Sequence, residues 1–227
     1  MALNRGVTNR VNWVLDNCLP PMVRDAPVLM RPLMRLVLGP LYGDYVRFKE
    51  QAAGMSAAEY RAVYGRLHET FLARETDLSA GCVAAIRREA IGPAVLDAGC
   101  GRGYLSRLLA SDGLTVTAAD IAPDAGGYFA VAADIENLPF AARSFDTVIS
   151  THTLEHVLNA EAALAELRRV ARKRLILVVP RQRPYRFTFD LHLNYFPYAW
   201  SLRNFLRNPK ARIEVIDNDL FAVEDLG

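Results

Sequence analysis

The stretch Val95-Leu96-Asp97-Ala98-Gly99-Cys100-Gly101-Arg102-Gly103-Tyr104-Leu105 decides the reading of this chain. A short apolar run stops at a glycine-rich turn, and a helical segment starts at Tyr104. Glycines at 99, 101 and 103 let the main chain turn tightly and approach a ligand closely, with a helix N-terminus behind them. The loop alone does not choose the ligand, but two details do. A dinucleotide fingerprint, GxGxxG, would need glycine at 104, where tyrosine stands. Asp97 lies two residues before the first glycine, and a fixed negative charge there repels a pyrophosphate while favouring a cationic amine.

Outward from this loop, strands alternate with helices. Ala94–Leu96 reads as the first strand and Tyr104–Ser111 as a helix; Leu114–Ala119 is a second strand ending at Asp120. Residues 128–133 form a third strand closed by Asp134, and Phe145–Ser150 a fourth. A helix over 159–172 leads to Leu175–Val179, five apolar residues in a row, as a strand covered on both faces requires. The pattern predicts an α/β fold, a doubly wound, mostly parallel sheet that binds its ligand at the carboxyl ends of the strands.

The strand ends carry the ligand's signature. Asp120, seventeen residues after Gly103, can accept both hydroxyls of a ribose. Asp134 can accept an adenine amino group, with Ile135 or Leu138 beside the ring. Both NAD and S-adenosylmethionine carry these parts, but only the latter combines an ammonium and a sulfonium with no phosphate.

VLDAGCGRGYL (95–105), the strand-end Asp120, AADIENLPF (132–140), SFDTVISTHTLEHV (144–157) and AALAELRRV…LILVVP (162–180) together resemble the class I, Rossmann-like S-adenosylmethionine-dependent methyltransferases. The resemblance covers roughly residues 80 to 200. It implies a seven-stranded sheet, S-adenosylmethionine as cofactor and S-adenosylhomocysteine as product. It also implies that Asp97, Gly99, Cys100 and Gly101 hold the methionine part, Asp120 and Ile121 the ribose, and Asp134 and Ile135 the adenine, with Thr151 near the transferred methyl. The chain departs from the family in places. Only nine residues, 121–129, precede the third strand's core, too few for a full crossover helix. Ala171-Arg172-Lys173-Arg174 replaces the usual glycine turn before the fifth strand, and residues 212–216 and 221–224 leave little for the last two strands.

Methyl transfer needs a nucleophile held in line with the methyl, sometimes with a base. His152, Glu155 and His156 follow the fourth strand. His152 is the candidate base, and His156 reads as pocket wall. After the fifth strand, residues 181–198 are dense in arginine and aromatic residues. There Asp190 and His192 form a candidate acid–base pair. With His156 they lack a persuasive metal-ligand spacing, so no metal is expected. Arg186 and Tyr195 are candidate substrate contacts, and local core packing under a helix at 199–207 accounts for part of the aromatic content. Arg168, Arg169, Arg172, Lys173 and Arg174 read as complements to a helix C-terminus.

Residues 1–91 read as a helical extension forming a lid or substrate wall, and 92–227 as the cofactor domain. Thr8 starts a helix through Cys18, which Pro20-Pro21 ends. Ser56 and Glu59 form a capping box for a helix to about Ala73, with Tyr60 and Tyr64 on one face; Tyr64 is a candidate substrate contact. Leu78–Ala90 is a further helix. Pro27–Leu38 packs on the domain, covers the active site, or touches a membrane; packing is the ordinary reading, so membrane contact is not expected. The N-terminus lacks an apolar signal core, and three unpaired cysteines suggest neither a disulfide framework nor a zinc site. A cytoplasmic protein is therefore expected. A net charge of +2 is too balanced for a nucleic-acid binder. The reading is methyl transfer to an oxygen or nitrogen atom of a small-molecule or glycan-type metabolite. Cyclisation of the cofactor and a non-catalytic cofactor-binding regulator are the alternatives. Oligomeric state is not legible.

Overall fold

The computed structural model describes residues 14–15, 18–56, 58–64, 75–122 and 130–227. The chain divides into two compact units, residues 1–74 with 183–193, and residues 75–182 with 194–227. The break falls at 74/75 rather than near 92, because the helix expected over 78–90 packs on the sheet. The first unit also takes the segment 183–193, which sequence grouped with the cofactor domain.

In the first unit, α1 (Pro27–Leu38) buries Met30, Met34 and Leu38 at four-residue spacing, and α2 (Tyr42–Gln51) buries Tyr45 and Phe48. The Ser56 capping box forms as read: Ser56 N donates to Glu59 Oε2 at 2.9 Å and Glu59 N to Ser56 Oγ at 3.3 Å. Tyr60 is buried between Phe48 and Tyr64, each ring 5.6 Å away. The helix from Thr8, the stretch toward Ala73 and the crossover at 123–129 lie partly or wholly outside the described residues. Segment 183–193 is bound by side chains. Asp25 accepts the amides of Arg186 (2.8 Å) and Phe187 (3.1 Å), and Arg24, fully buried, donates to the Phe187 carbonyl at 2.6 Å.

The second unit begins with α3 (Ala80–Glu89), capped by Ser79 Oγ accepting the Cys82 amide. Its sheet contains β1 (Ala94–Ala98), β2 (Thr115–Asp120), β3 (Ala130–Ala132), β4 (Phe145–Thr151), β5 (Ala171–Pro180), β6 (Arg212–Ile216) and β7 (Asp219–Asp225). The strand order is β3-β2-β1-β4-β5-β7-β6. Strands β1 to β5 are parallel, and β7 runs antiparallel between β5 and β6. The period-two alternation sorts the strand residues onto two faces. Val95, Ile149, Ile176, Val178 and Phe221 pack with Cys82 and Ile86 of α3 and with Leu105 and Leu109 of α4 (Tyr104–Ser111). Leu96, Val148, Leu175, Leu177 and Ala222 pack with Leu164 and Leu167 of α5 (Ala160–Val170) and Leu202 of α6 (Ala199–Leu206).

Helix α5 passes into β5 at Ala171 without a loop, so the expected end at Arg172 is two residues late. The missing glycine turn is explained, and the basic run takes the role read at Arg168 and Arg169 but not at 172–174, which lie in β5. Arg168 and Arg169 stand in the last turn of α5, and Arg168 also donates to the Leu206 carbonyl at the end of α6 (2.6 Å), but the whole run pairs with carboxylates as well. Arg168 forks onto Glu224 (2.8 and 2.7 Å), Arg169 onto Glu166, Arg172 and Lys173 reach Asp146, and Arg174 reaches Glu89 and Asp225. Among the described residues, no helix is long and apolar enough to cross a membrane.

Candidate functional site

The loop 99–103 leaves β1 and is tied down over β2, since the amides of Gly99 and Cys100 both donate to the Ala119 carbonyl (2.8 and 3.1 Å). Gly99 has φ +77°, and a Cβ there would overlap the Thr153 side chain. Gly101, at φ +51°, instead faces open space within 4 Å. The loop therefore closes against β4's exit on one side and leaves room on the other.

Asp97 sits beneath this loop, fully buried. Ser106, in the first turn of α4, donates to its Oδ2 at 2.5 Å, while Oδ1 has no hydrogen-bond partner. Burial pushes the carboxyl up to about 6, against the pull of the Ser106 hydrogen bond. Cys100 stays a thiol because burial raises its pKa. Asp120, at the end of β2, accepts the amides of Gly101 and Ala122, one on each oxygen, at 2.9 Å. Each oxygen keeps a second lone pair, so a pair of hydroxyls can still be accepted. Ile121 follows, half-buried. Asp134 accepts the Glu136 amide at 3.0 Å, and Ile135 and Leu138 are buried in the core cluster of Leu96 and Ala98. A buried carboxylate oxygen without a partner, a glycine facing space and an acidic strand end fit a ligand carrying an ammonium and a ribose.

Thr151 ends β4 and its carbonyl accepts the Thr153 hydroxyl at 3.0 Å. His152 follows with φ +50°, a left-handed position that a histidine rarely takes. Its ring is held between carboxylates, Nδ1 3.4 Å from Glu155 Oε1 and Nε2 3.5 Å from Asp219 Oδ2. Burial opposes its charged form, but Asp219 and Glu155 outweigh burial and push its pKa up to about 10. An imidazolium has no lone pair to take a substrate proton, so His152 acts as a base only after giving up the proton that Asp219 and Glu155 favour. Cys82 Sγ lies 3.6 Å from the same Asp219 carboxylate. Asn194 anchors the turn after β4 by donating to the carbonyls of Leu154 (2.9 Å), Val157 (2.8 Å) and Glu155 (3.0 Å), which brings half-buried Tyr195 alongside it.

The remaining candidates belong to the first unit. His192 N donates to Asp190 Oδ1 at 3.2 Å, and its Nδ1 lies 3.6 Å from that oxygen. Lys49 Nζ is also 3.6 Å from it, and burial lowers the Lys49 pKa against the pull of Asp190. Arg186 is exposed and reaches Glu50 at 3.3 Å, and Tyr64 stacks on Tyr60. Sequence reasoning missed Ser106, Thr153 and Asp219. The first two stand within a few residues of the motifs and were open to inspection, whereas nothing in the sequence couples Asp219 to His152.

Residues 96–179 match the family model described as "Methyltransferase domain". Over 89 residues the chain is 37% identical to malonyl-(acyl-carrier protein) O-methyltransferase of Serratia marcescens; the match covers 36% of this chain and 35% of that protein. The chain thus spans about a third of the length of that curated relative. Among solved structures, it is similar to 1,6-didemethyltoxoflavin-N1-methyltransferase of Burkholderia thailandensis, at TM-score 0.58 and 20% identity, over 75% of this chain and 90% of that one. A SAM-dependent methyltransferase from Aquifex aeolicus matches at TM-score 0.50 and 15% identity, over 71% and 96%. These two likenesses establish a shared fold, and the range matched by the family model spans the glycine loop, Asp120, Asp134 and Thr151. The second unit therefore shares the fold of these methyltransferases, and its residues 96–179 are similar to a methyltransferase domain.

Proposed function

We propose that the chain transfers a methyl group to an oxygen or nitrogen atom of a small-molecule or glycan-type metabolite. The observation that carries this reading is the buried, unpartnered Oδ1 of Asp97 beneath a glycine loop that opens at Gly101. When bound, S-adenosylmethionine supplies an electrophilic methyl on a sulfonium. Asp97, Gly99, Cys100 and Gly101 would hold its methionine part, Asp120 and Ile121 its ribose, and Asp134 and Ile135 its adenine. Thr151 would line the wall nearest the methyl.

Among the chain's own residues, the charged His152 serves as a positioning group. It ties Glu155 to Asp219 and so holds the backbone of 151–153 at the sheet edge. Asp190 and His192, already in contact, are the candidates for moving a proton from the acceptor. Tyr64, Arg186 and Tyr195 are candidate acceptor contacts. The Serratia relative is named for O-methylation, which makes oxygen acceptors the first arm of a screen.

The test is calorimetric titration with S-adenosylmethionine, S-adenosylhomocysteine and NAD in parallel, followed by labelled cofactor with a panel of sugars, phenols, carboxylic acids and amines. Micromolar binding of both adenosyl ligands, with S-adenosylhomocysteine formed only when an acceptor is present, supports the proposal. Binding of NAD instead, or release of methylthioadenosine without any acceptor, overturns it.

A further inference from the structure

Helix α1 has two apolar faces, and the first unit uses only one. Met30, Met34 and Leu38 form the buried row. Val28 is 85% exposed and Leu36 83%; Leu29 and Pro32 are exposed beside them, and Met22, in the turn of helix Pro21–Arg24 just before, is 88% exposed. At about 100° per residue, Val28, Pro32, Leu36 and Leu29 form one stripe centred roughly opposite the buried row. A helix facing only water carries polar residues on that side. Single exposed apolar side chains are ordinary on a folded surface, but a continuous stripe is not.

The charges near the stripe have one sign. Arg31 and Arg35 are exposed and flank it on one side, and α1 contains no acidic residue. The neighbouring Asp25 is turned inward, its oxygens taken by the Arg186 and Phe187 amides, and Arg24 is buried on the Phe187 carbonyl. Two copies meeting through this face about a two-fold axis would bring like charges toward each other. Twelve residues are too short to span a bilayer but suit a helix lying in its plane.

We propose that α1 is a membrane-surface element that lies in the interface of an anionic phospholipid bilayer. Met22, Val28, Leu29, Pro32 and Leu36 enter the acyl boundary, and Arg31 and Arg35 meet the lipid phosphates. Packing was the ordinary reading of this segment, and it accounts for one face; the other face calls for a partner of this chemistry. The proposal stands independently of the cofactor site.

The test is co-sedimentation of the full chain with vesicles of phosphatidylcholine alone, or of phosphatidylcholine mixed with phosphatidylglycerol, at two salt concentrations. Binding is expected to the mixed vesicles and to weaken with salt. Val28→Ser with Leu36→Ser should reduce partitioning at least about tenfold, and each of Arg31→Gln and Arg35→Gln about fivefold. Val28, Leu36 and Arg31 are exposed, so their variants should keep the wild-type thermal midpoint; the Arg35 guanidinium lies 5.1 Å over the Tyr42 ring, so the partitioning of Arg35→Gln is compared with its own thermal midpoint. Three results would overturn the proposal. One is equal partitioning of Val28→Ser/Leu36→Ser and wild type. Another is a loss of stability in that variant, which would mean the chain itself covers the face. The third is a dimer in sedimentation velocity that the variant dissolves while vesicle binding stays absent.

Discussion

Replacing Asp97 by asparagine separates two consequences of one buried carboxylate. The side chain is fully buried, one oxygen is bonded to Ser106 at 2.5 Å, and the other has no partner. Its pKa rises from 3.8 to about 6 on folding, mainly through burial. A folded-state value above the unfolded one means that ionisation works against the fold. The favourable contribution is complete below the unfolded value and is lost as pH climbs through about 6, a total of about 3 kcal/mol. Asparagine keeps the size and the Ser106 contact but cannot ionise. Its unpaired N–H carries a penalty of its own, but that penalty is the same at every pH. The change of the stability difference with pH is therefore the clean quantity. Between about pH 4.5 and about pH 8 the cofactor-free variant should gain about 2 kcal/mol on the wild type, levelling off above about pH 7.

Urea denaturation of both proteins across that range measures the gain, and calorimetry on the same samples measures the function. Wild-type affinity for S-adenosylmethionine should rise as pH climbs through about 6, because a bound ammonium needs the ionised carboxylate. Asp97→Asn should lose that dependence and bind about tenfold or more weakly, the usual worth of a charge-assisted hydrogen bond. A stability difference that stays flat with pH, or undiminished binding by the variant, would refute the assignment of the unpartnered oxygen to the cofactor's amine.

Two glycines in the loop should fail differently. Gly99→Ala combines φ +77° with overlap on Thr153 and should destabilise the fold by about 3 kcal/mol or more, whereas Gly101→Ala should cost only about 1 kcal/mol yet cut cofactor affinity over about tenfold; thermal melts and calorimetry separate the two. His152, with its pKa pushed to about 10, contributes stability that is complete below about pH 6.5 and lost as pH rises through about 10. His152→Asn, which tolerates φ +50° and carries no charge, should flatten this alkaline loss in urea titrations while leaving cofactor affinity intact. Arg168→Met leaves the fully buried Glu224 without its cation and with only the Asn208 side-chain amide donating to it, and should cost about 3 kcal/mol by urea denaturation, part of it recovered on adding Glu224→Gln.

What was legible in the sequence follows from where the physics is local. The glycine loop, the acidic end of β2 and the Ser56–Glu59 cap are decided within a few residues and stand at the positions read, whereas β3 stops at Ala132 and Asp134 bridges to Asn137 beyond it. The strand cores were legible because alternation and apolar runs report burial directly; Leu175–Val179 is buried throughout. At 168 and 169 the helix-end reading stands, but the carboxylate partners of the run, Glu224, Asp146, Glu89 and Asp225, were not legible because they are distant in sequence and meet it only across the sheet. The boundary near 92 was misplaced for a related reason. A change in local pattern marks where strands begin, but which unit α3 joins depends on Cys82 and Ile86 finding Ile176 and Phe221.

The strand that looked weakest in sequence has the most consequence for the site. Residues 221–224 seemed too few for a strand, yet β7 spans Asp219–Asp225, lies inside the sheet, and pairs with both β5 and β6. Its first residue is set opposite Pro180, at the carboxyl end of β5, where a parallel sheet of this kind keeps its ligand site. Antiparallel insertion is what makes this possible, because the start of β7 must then lie beside the end of β5. Asp219 thereby reaches His152 from one side while Glu155 reaches it from the other. The left-handed histidine after β4 is biased toward its charged form because β7, which begins 67 residues later, supplies one of its two carboxylate neighbours. A truncation that removed β7 would leave the glycine loop and Asp120 intact in sequence but would strip His152 of Asp219. The C-terminal hairpin therefore belongs to the site's electrostatics as well as to the fold.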